Sequence, residues 1–221
     1  MIRASIAHQA AEHIRNLIAS GLVRPGQKID QDAIASELGV SRAPVREALM
    51  TLGSEGLVTL LPRRGAFAAI IDQRDIEDHY AVYAWSHGLA AHRAATVIKP
   101  AQVERLKSLN ATYASTTDAK ELRQLDFDFH ELINFVDASA RLRAILQTLS
   151  RLSANVPKPI ATPQGPQRQL AIAEHSDIIS ALASRNPDGA RNACLNHLIR
   201  EGTVVTAAWN DATLLRDAHG G

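Results

Sequence analysis

Residues 39–65, GVSRAPVREALMTLGSEGLVTLLPRRG, constrain the fold of this chain more than any other stretch. Gly39 stops one helical pattern, and Ser41 stands where the N-cap of the next is expected, its hydroxyl placed to accept from an unpaired backbone N–H. Pro44 falls in the first turn of that helix, where a missing N–H costs no intrahelical bond. Val45, Leu49 and Leu52 recur at helical spacing and form an inward stripe. Arg42 and Arg46, one turn apart, share a neighbouring strip and project together from the N-terminal end. Two β-rich runs follow, Leu57 to Leu61 and Ala66 to Ile71, joined by the basic turn Pro62-Arg63-Arg64-Gly65. Upstream, Ile6, Ala10, Ile14, Leu17 and Ile18 mark a helix over 5–19, ended by Gly21 and the Arg24-Pro25-Gly26 turn. Ile29, Ala33, Ile34 and Leu38 mark a second, short one. Three short helices and a basic hairpin make the pattern of a winged helix-turn-helix. A guanidinium at Arg42 or Arg46 can meet guanine O6/N7 bidentately or clamp a phosphate, and the wing tip suits backbone or minor-groove contact.

Formal net charge is only +1, so affinity for double-stranded DNA has to come from such local clusters, doubled in a dimer. The single cysteine, Cys194, excludes an intrachain disulfide framework and favours a reducing compartment. It lies in an apolar helical stripe, where a small buried hydrophobe is expected rather than a reactive thiol. The N-terminus lacks a signal-peptide pattern and no stretch is long enough to cross a bilayer, so a cytoplasmic protein with no membrane partner is the expectation.

Ser41-Arg42, Pro44 to Leu49 and Glu55 to Leu57 together resemble the hallmark of the GntR family of bacterial transcription regulators: a Ser/Thr-Arg pair, then Pro-Val-Arg-Glu-Ala-Leu and Glu-Gly-Leu. The resemblance spans about residues 5–71. It implies that Arg42, Arg46 and the wing Gly65 contact operator DNA, and Ser41, Pro44, Arg63 and Arg64 complete the expected DNA-binding surface. One position departs from it. Many relatives carry a basic residue in the second helix where this chain has Asp32, which means either a lost phosphate contact or a carboxylate that orients a neighbouring arginine.

From Asp72 onward the pattern is helical, with breaks at Lys99-Pro100, Thr117-Asp118, around Asp137, through the Pro-rich stretch 157–166 and at Asn186-Pro187. Asp118 with Glu121 has the form of a capping box, and Asn186 before Pro187 is a good cap followed by a favoured first-turn proline. These breaks divide 73–212 into about six helices. The expected fold is mostly α: a winged helix-turn-helix over 1–71, an all-α antiparallel helical bundle over 72–215, and a tail over 216–221.

Polar residues inside apolar stripes carry the chemistry of this region. Leu122, Leu125, Phe129, Ile133 and Val136 face inward on one helix, and Asp126 and His130, four apart, lie on the same face. His175 leads Ile178, Ile179 and Leu182; His197 shares a strip with Ala190, Ala193, Cys194 and Leu198. Buried carboxylates and imidazoles need partners, and a divalent cation held by Asp126, His130, His175 and His197 satisfies all four at once. Mixed carboxylate–imidazole ligation suits Zn²⁺, Ni²⁺, Mn²⁺ or Fe²⁺ without choosing among them. His8, His13, His79, His92 and His219 lack this setting and are expected at the surface.

The Asp-x-x-Phe-His run at Asp126 to His130, with Glu174-His175 and Asn196-His197, is similar to the FCD domain of FadR-type GntR regulators, and the six-helix count to its shorter, VanR-like branch. The resemblance implies a metal whose open positions take water or a small organic acid. Relatives often place an Arg and a Glu one turn apart on the first helix of this domain, where this chain has Tyr83 and His87. That exchange makes the pocket less electropositive, and gives Tyr83 and His87 the role of hydrogen-bond donors to a monoacid or a hydroxylated ligand. Together these features imply a homodimeric transcriptional regulator, a repressor or an activator, whose operator affinity responds to a small carboxylate metabolite. Two other classes stay open: a metal-dependent hydrolase or lyase fused to a DNA-binding module, and an architectural DNA-binding protein with a structural metal. No positioned general base or nucleophile motif accompanies the donor set, so a non-enzyme is expected.

Overall fold

A helix with Val45, Leu49 and Leu52 on one face needs an apolar partner, and the first helix supplies it. The structure, a computed structural model, describes residues 5–154 and 165–219, with backbone alone at 19, 151–154 and 210–219. The chain divides into two compact units with the boundary between Ile71 and Asp72. In the first unit α1 (Ile6–Ala19) packs on α3 (Arg42–Ser54), with α2 (Gln31–Leu38) beside it. Ala10, Ile14, Ile34, Val45, Ala48, Leu49 and Leu52 are buried between them. Burying each large aliphatic side chain contributes about 1.5–3 kcal/mol.

Ser41 occupies the N-cap of α3, as expected, but its hydroxyl makes no capping hydrogen bond. One of the two usual donors is absent: a capping oxygen accepts from the second or third helical N–H, and the third residue here is Pro44, which has none. The exposed Ser41 hydroxyl is thereby left to other partners. α2 is capped by Asp30, whose carboxylate accepts from the N–H groups of Asp32 and Ala33.

The hairpin forms as expected, with shorter strands. β1 (Val58–Leu61) and β2 (Gly65–Ala68) pair antiparallel, Val58 opposite Ala68 and Leu61 opposite Gly65. A third segment joins them. Gly26 N–H donates to Ala68 O, Ala68 N–H to Gln27 O, and Ile29 N–H to Ala66 O, each at 2.9 Å. The turn that ends α1 therefore runs directly into an extended stretch along β2.

Six helices among the described residues build the second unit: α4 (Gln73–Val97), α5 (Pro100–Ser115), α6 (Ala119–Asn134), α7 (Ala140–Ala154), α8 (Gly165–Ala183) and α9 (Pro187–His219). Every expected break falls between helices except the Pro-rich one, of which 157–164 lies outside the described residues. The expected tail is helical as far as His219. Asn186 caps α9 by accepting from Gly189 N–H at 2.9 Å. The Asp118–Glu121 capping box is half made: Asp118 accepts from Glu121 N–H at 2.7 Å, but the Glu121 carboxylate turns to the Thr116 hydroxyl instead of the cap N–H.

α4 and α9 lie along each other and form the most extensive helix pairing among the described elements. Gly202 makes this approach possible. A Cβ there would sit 2.5 Å from Tyr80 Cβ and 2.8 Å from its Cγ, far inside contact distance, so the glycine lets the tyrosine lie flat on α9. Leu106, Phe129, Ile133, Ile178, Leu182 and Cys194 are fully buried in the core that α4, α5, α6, α8 and α9 share. Cys194 is the inert small hydrophobe expected, its thiol pushed up by burial.

Candidate metal centre and nucleic-acid interface

An imidazole that ligates a metal through one nitrogen needs its other N–H fixed by an acceptor, which sets both tautomer and ring orientation. Three histidines of the second unit meet this condition. His197, on α9, has Nδ1 2.7 Å from Glu174 Oε2, and Glu174 is gripped by Arg200 through Nε at 2.6 Å and Nη2 at 2.5 Å. His175, on α8, has Nδ1 3.3 Å from Asn110 Oδ1. The Asn110 amide nitrogen donates to Ile172 O and Ser176 Oγ, both at 3.1 Å, which forces its oxygen toward the ring. His130, on α6, has Nδ1 3.0 Å from His87 Nε2, and His87 Nδ1 lies 2.5 Å from Asn134 Oδ1. Phe129 stacks on His175 with centroids 4.1 Å apart and holds that ring flat.

With every Nδ1 spent as a donor outward, the three Nε2 lone pairs face inward. His130 Nε2 and His197 Nε2 are 3.3 Å apart. Asp126 Oδ1 is 3.9 Å from His130 Nε2 and 3.6 Å from His175 Nε2. His175 Nε2 is buried and has no hydrogen-bond partner. One donor atom from each of Asp126, His130, His175 and His197 lies within 4.8 Å of the others. Ligands about 2.1 Å from a common cation stand about 3.0–3.4 Å apart when adjacent, so the cluster is close to the size of a coordination shell.

Electrostatics agree with the geometry. Burial holds His130 down at about 4 and His87 at about 3. Burial, reinforced by neighbouring charges, keeps His175 and His197 well below the ordinary imidazole range. At neutral pH all are neutral, the form that binds metal. Burial lifts the Asp126 carboxyl to about 7, so a positive ion beside it would relieve a real cost.

On the first unit, Arg42, Arg46, Arg63 and Arg64 are exposed, and with Lys28 they line a groove of about 1080 Å³ between α3 and the wing. Asp32 pairs with Arg42 Nε, as the orienting alternative expects. Arg64 N–H bonds Leu61 O at 3.1 Å and closes the wing turn, with Pro62 at its second position and Arg63 at φ 60° in its third. Gly65 follows at φ 109°, where a side chain would also press on Lys28. Pro44 is half-buried and shapes the start of α3 without offering a polar group.

Residues 6–68 match the family model of bacterial regulatory proteins, gntR family, and residues 87–200 match that of the FCD domain. The chain belongs to the GntR family of transcriptional regulators and carries an FCD domain. Its relatives include an uncharacterized HTH-type transcriptional regulator of Mycobacterium tuberculosis, 28% identical over 187 residues, covering 85% of this chain and 75% of that one. The HTH-type transcriptional repressor RspR of Escherichia coli is 26% identical over 190 residues, covering 84% and 82%. Among solved structures, E. coli McbR/YncC superposes with a TM-score of 0.75 at 18% identity, over 94% of this chain and 99% of that one. A GntR family member from Pseudomonas syringae gives 0.59 at 21% identity, over 95% and 88%.

Within this GntR regulator some residues stand where the sequence did not put them. His87 is fully buried with both ring nitrogens engaged, by Asn134 and His130, so it braces a cluster histidine and has no nitrogen left for a direct hydrogen bond to an effector. Tyr83 is buried beside it, its hydroxyl 3.0 Å from Ser150 Oγ. His13, His79 and His92, expected at the surface, are half-buried. The bracing roles of Glu174 and Asn110 were hidden because each supports a ligand on a different helix, and those of Arg200 and Asn134 because each acts through an intermediate, Glu174 and His87. Glu201 escaped notice, although its signal was present: it follows His197 by one turn, as His130 follows Asp126.

Proposed function

We propose that this GntR regulator, of the FadR subfamily and its VanR-like branch, binds operator DNA through residues 1–71 as a homodimer. A divalent cation in residues 72–215 serves as the anchor for a small carboxylate effector, and 216–221 is a tail. Asp126, His130, His175 and His197 hold the ion. One observation carries the reading: three buried imidazoles, each engaged at Nδ1 by a dedicated partner, present Nε2 to one another, and acceptors at Nδ1 assign the proton there and a lone pair to Nε2. Two such lone pairs 3.3 Å apart repel unless a cation lies between them. Zn²⁺, Ni²⁺, Mn²⁺ and Fe²⁺ all suit the donor set.

When bound, the ion supplies positive charge and an exchangeable position for a carboxylate. Glu174 with Arg200, Asn110, and His87 with Asn134 hold the three rings in register. Tyr83 is the remaining hydrogen-bonding group for an effector. Ser41, Arg42, Arg46, Arg63, Arg64 and Gly65 form the DNA face, with Pro44 setting the helix start. Val82, Trp85 and Leu89, exposed at helical spacing on α4, offer an apolar stripe that supports pairing with a second copy. Effector binding acts on transcription by favouring one of two arrangements of the dimer.

Elemental analysis of protein purified without chelator, with electrophoretic mobility shifts on DNA upstream of its own gene, tests the proposal. About one ion per chain is expected, and chelation should abolish any response of DNA binding to added organic acids. Protein that contains no ion and takes none up from Zn²⁺, Ni²⁺, Mn²⁺ or Fe²⁺ would sink the sensing half; an Arg42→Ala, Arg46→Ala double variant with unchanged DNA affinity would sink the other.

A further inference from the structure

Glu201 is a buried-side carboxylate that the four-residue cluster does not include. It sits one turn after His197 on α9, on the strip that faces the cluster, and Oε2 lies 4.0 Å from His197 Nε2. That separation matches the 3.9 Å between Asp126 Oδ1 and His130 Nε2. Two carboxylate–imidazole pairs at one-turn spacing therefore meet from α6 and α9. The side chain of Glu201 is only 27% exposed, and the hydrogen bond it receives, from the Tyr80 hydroxyl to Oε1, is long at 3.3 Å. The nearby cation, Arg200, is already committed to Glu174. A carboxylate so placed, turned toward the cluster and with Arg200 held by Glu174, lacks a dedicated counter-charge.

We infer that Glu201 is a fifth protein ligand, which makes the centre a three-nitrogen, two-carboxylate site for a divalent cation that prefers five or six donors. The inference rests on the four-residue reading above and extends it. Tyr80 keeps the carboxylate turned into the cluster by holding Oε1, and Gly202 lets Tyr80 lie close enough to do so. Two carboxylates neutralise a dication, so a carboxylate metabolite gains less charge attraction: it competes with Glu201 on a five-coordinate ion and takes the one remaining position on a six-coordinate ion. Hard, higher-coordinate ions such as Mn²⁺ gain more from a second carboxylate than Zn²⁺, which is content with four donors.

Titration of the metal-free full chain with Co²⁺, then with Mn²⁺ and Zn²⁺, tests this. For the unaltered protein, a weak visible Co²⁺ band typical of five or six donors is expected. In Glu201→Gln the band should intensify as coordination falls toward four, Mn²⁺ binding should weaken by about tenfold or more, and Zn²⁺ binding should weaken less. Tyr80→Phe, which keeps the ring over Gly202 and leaves the carboxylate in place, should shift the Mn²⁺ affinity in the same direction by a smaller factor, and stands in if Glu201→Gln does not fold. Wild-type protein that binds Co²⁺ while both variants match it in band intensity and in Mn²⁺-to-Zn²⁺ preference overturns the inference alone. Wild-type protein that binds none of the three ions overturns the four-residue reading as well.

Discussion

Glu174 offers no donor atom to the four-residue cluster, yet its replacement should be among the most damaging to ion binding. It accepts from His197 Nδ1 at 2.7 Å and is locked by two contacts from Arg200, at 2.6 and 2.5 Å. Glu174→Gln keeps the shape, removes the charge, and leaves one of these donors facing an amide nitrogen. Outer partners of ligating histidines are worth about 10–100-fold in metal affinity, or about 1.4–2.7 kcal/mol. Linkage turns that loss into a melting shift. At a free ion concentration about 100 times the wild-type Kd, binding stabilises the native state by about 2.7 kcal/mol. A tenfold weaker site keeps about 1.4 kcal/mol of that, and a hundredfold weaker one about 0.4. For a chain of this size the metal-induced rise in Tm should fall from about 8 °C to about 4 °C or about 1 °C. Calorimetric titration of Zn²⁺ or Mn²⁺ and a thermal scan at fixed free ion measure the two quantities independently. Glu104→Gln, which loosens an exposed pair with Lys107, is the control and should change neither. If Glu174→Gln binds the ion as tightly as wild type while His197→Ala does not bind it, orientation of His197 by a charged partner is not needed and the reasoning fails.

Three further outcomes follow from named contacts. Arg63 adopts φ 60° at the position of the wing turn that favours glycine, so Arg63→Gly should stabilise the first unit by up to about 1 kcal/mol while weakening DNA binding and lowering its salt dependence by about one ion; a variant both more stable and equally tight on DNA would show that the strain serves no contact. Arg15 and Glu55 form a buried pair between α1 and the end of α3, with Nη2 2.7 Å from Oε1 and Nε 3.1 Å from Oε2; Arg15 keeps its second partner, Glu12, in Glu55→Gln, so that change should cost about 1–3 kcal/mol in urea melts, and no measurable loss would deny the pair its role. Without metal, the depressed histidines (His130 to about 4, His87 to about 3) lose stability as pH falls from 6.5 toward 4, whereas the raised carboxylates (Asp126 to about 7, Glu201 to about 8) lose it as pH rises from about 4 through 8. The more numerous histidines govern the acid side, so Tm of the metal-free protein should peak near pH 6.5 and fall by pH 8, and saturating cation should remove the alkaline fall; a metal-free Tm that climbs steadily to pH 8 contradicts this.

The elements most legible in the sequence were those whose signals are local. Val45, Leu49 and Leu52 fix the buried face of α3 because helical spacing is a property of neighbouring residues, and Pro62 to Gly65 announce a turn for the same reason. Local rules failed where two local signals competed. Ser41 looked like a complete cap, but Pro44 three residues on has no N–H to offer it. Glu121 looked like the second half of a capping box, and the Thr116 hydroxyl captured it. The extended stretch Gln27–Ile29 was hidden because its only reason to extend is β2, some forty residues later.

The candidate site divides along the same line. Asp126 and His130 are visible as a pair because one helix carries both, and His175 and His197 are visible because each interrupts an apolar stripe. What the sequence hides is the outer layer, since Asn110 braces a histidine on α8 from α5, and His87 reaches His130 across from α4. His87 shows the cost of reasoning from position alone. Its place on α4 made it a candidate to touch an effector, but an imidazole has two nitrogens, and both are used, one on Asn134 and one on His130. The tautomer follows without choice: if His130 turns Nε2 to a cation, its Nδ1 carries the proton, His87 must accept at Nε2 and donate from Nδ1, and Asn134 must present its oxygen. Reversing Asn134 would place an amide N–H against the His87 N–H and break the chain at its far end. The orientation of one side-chain amide on α6 thus bears on whether a lone pair four residues earlier in the same helix is free to hold a metal.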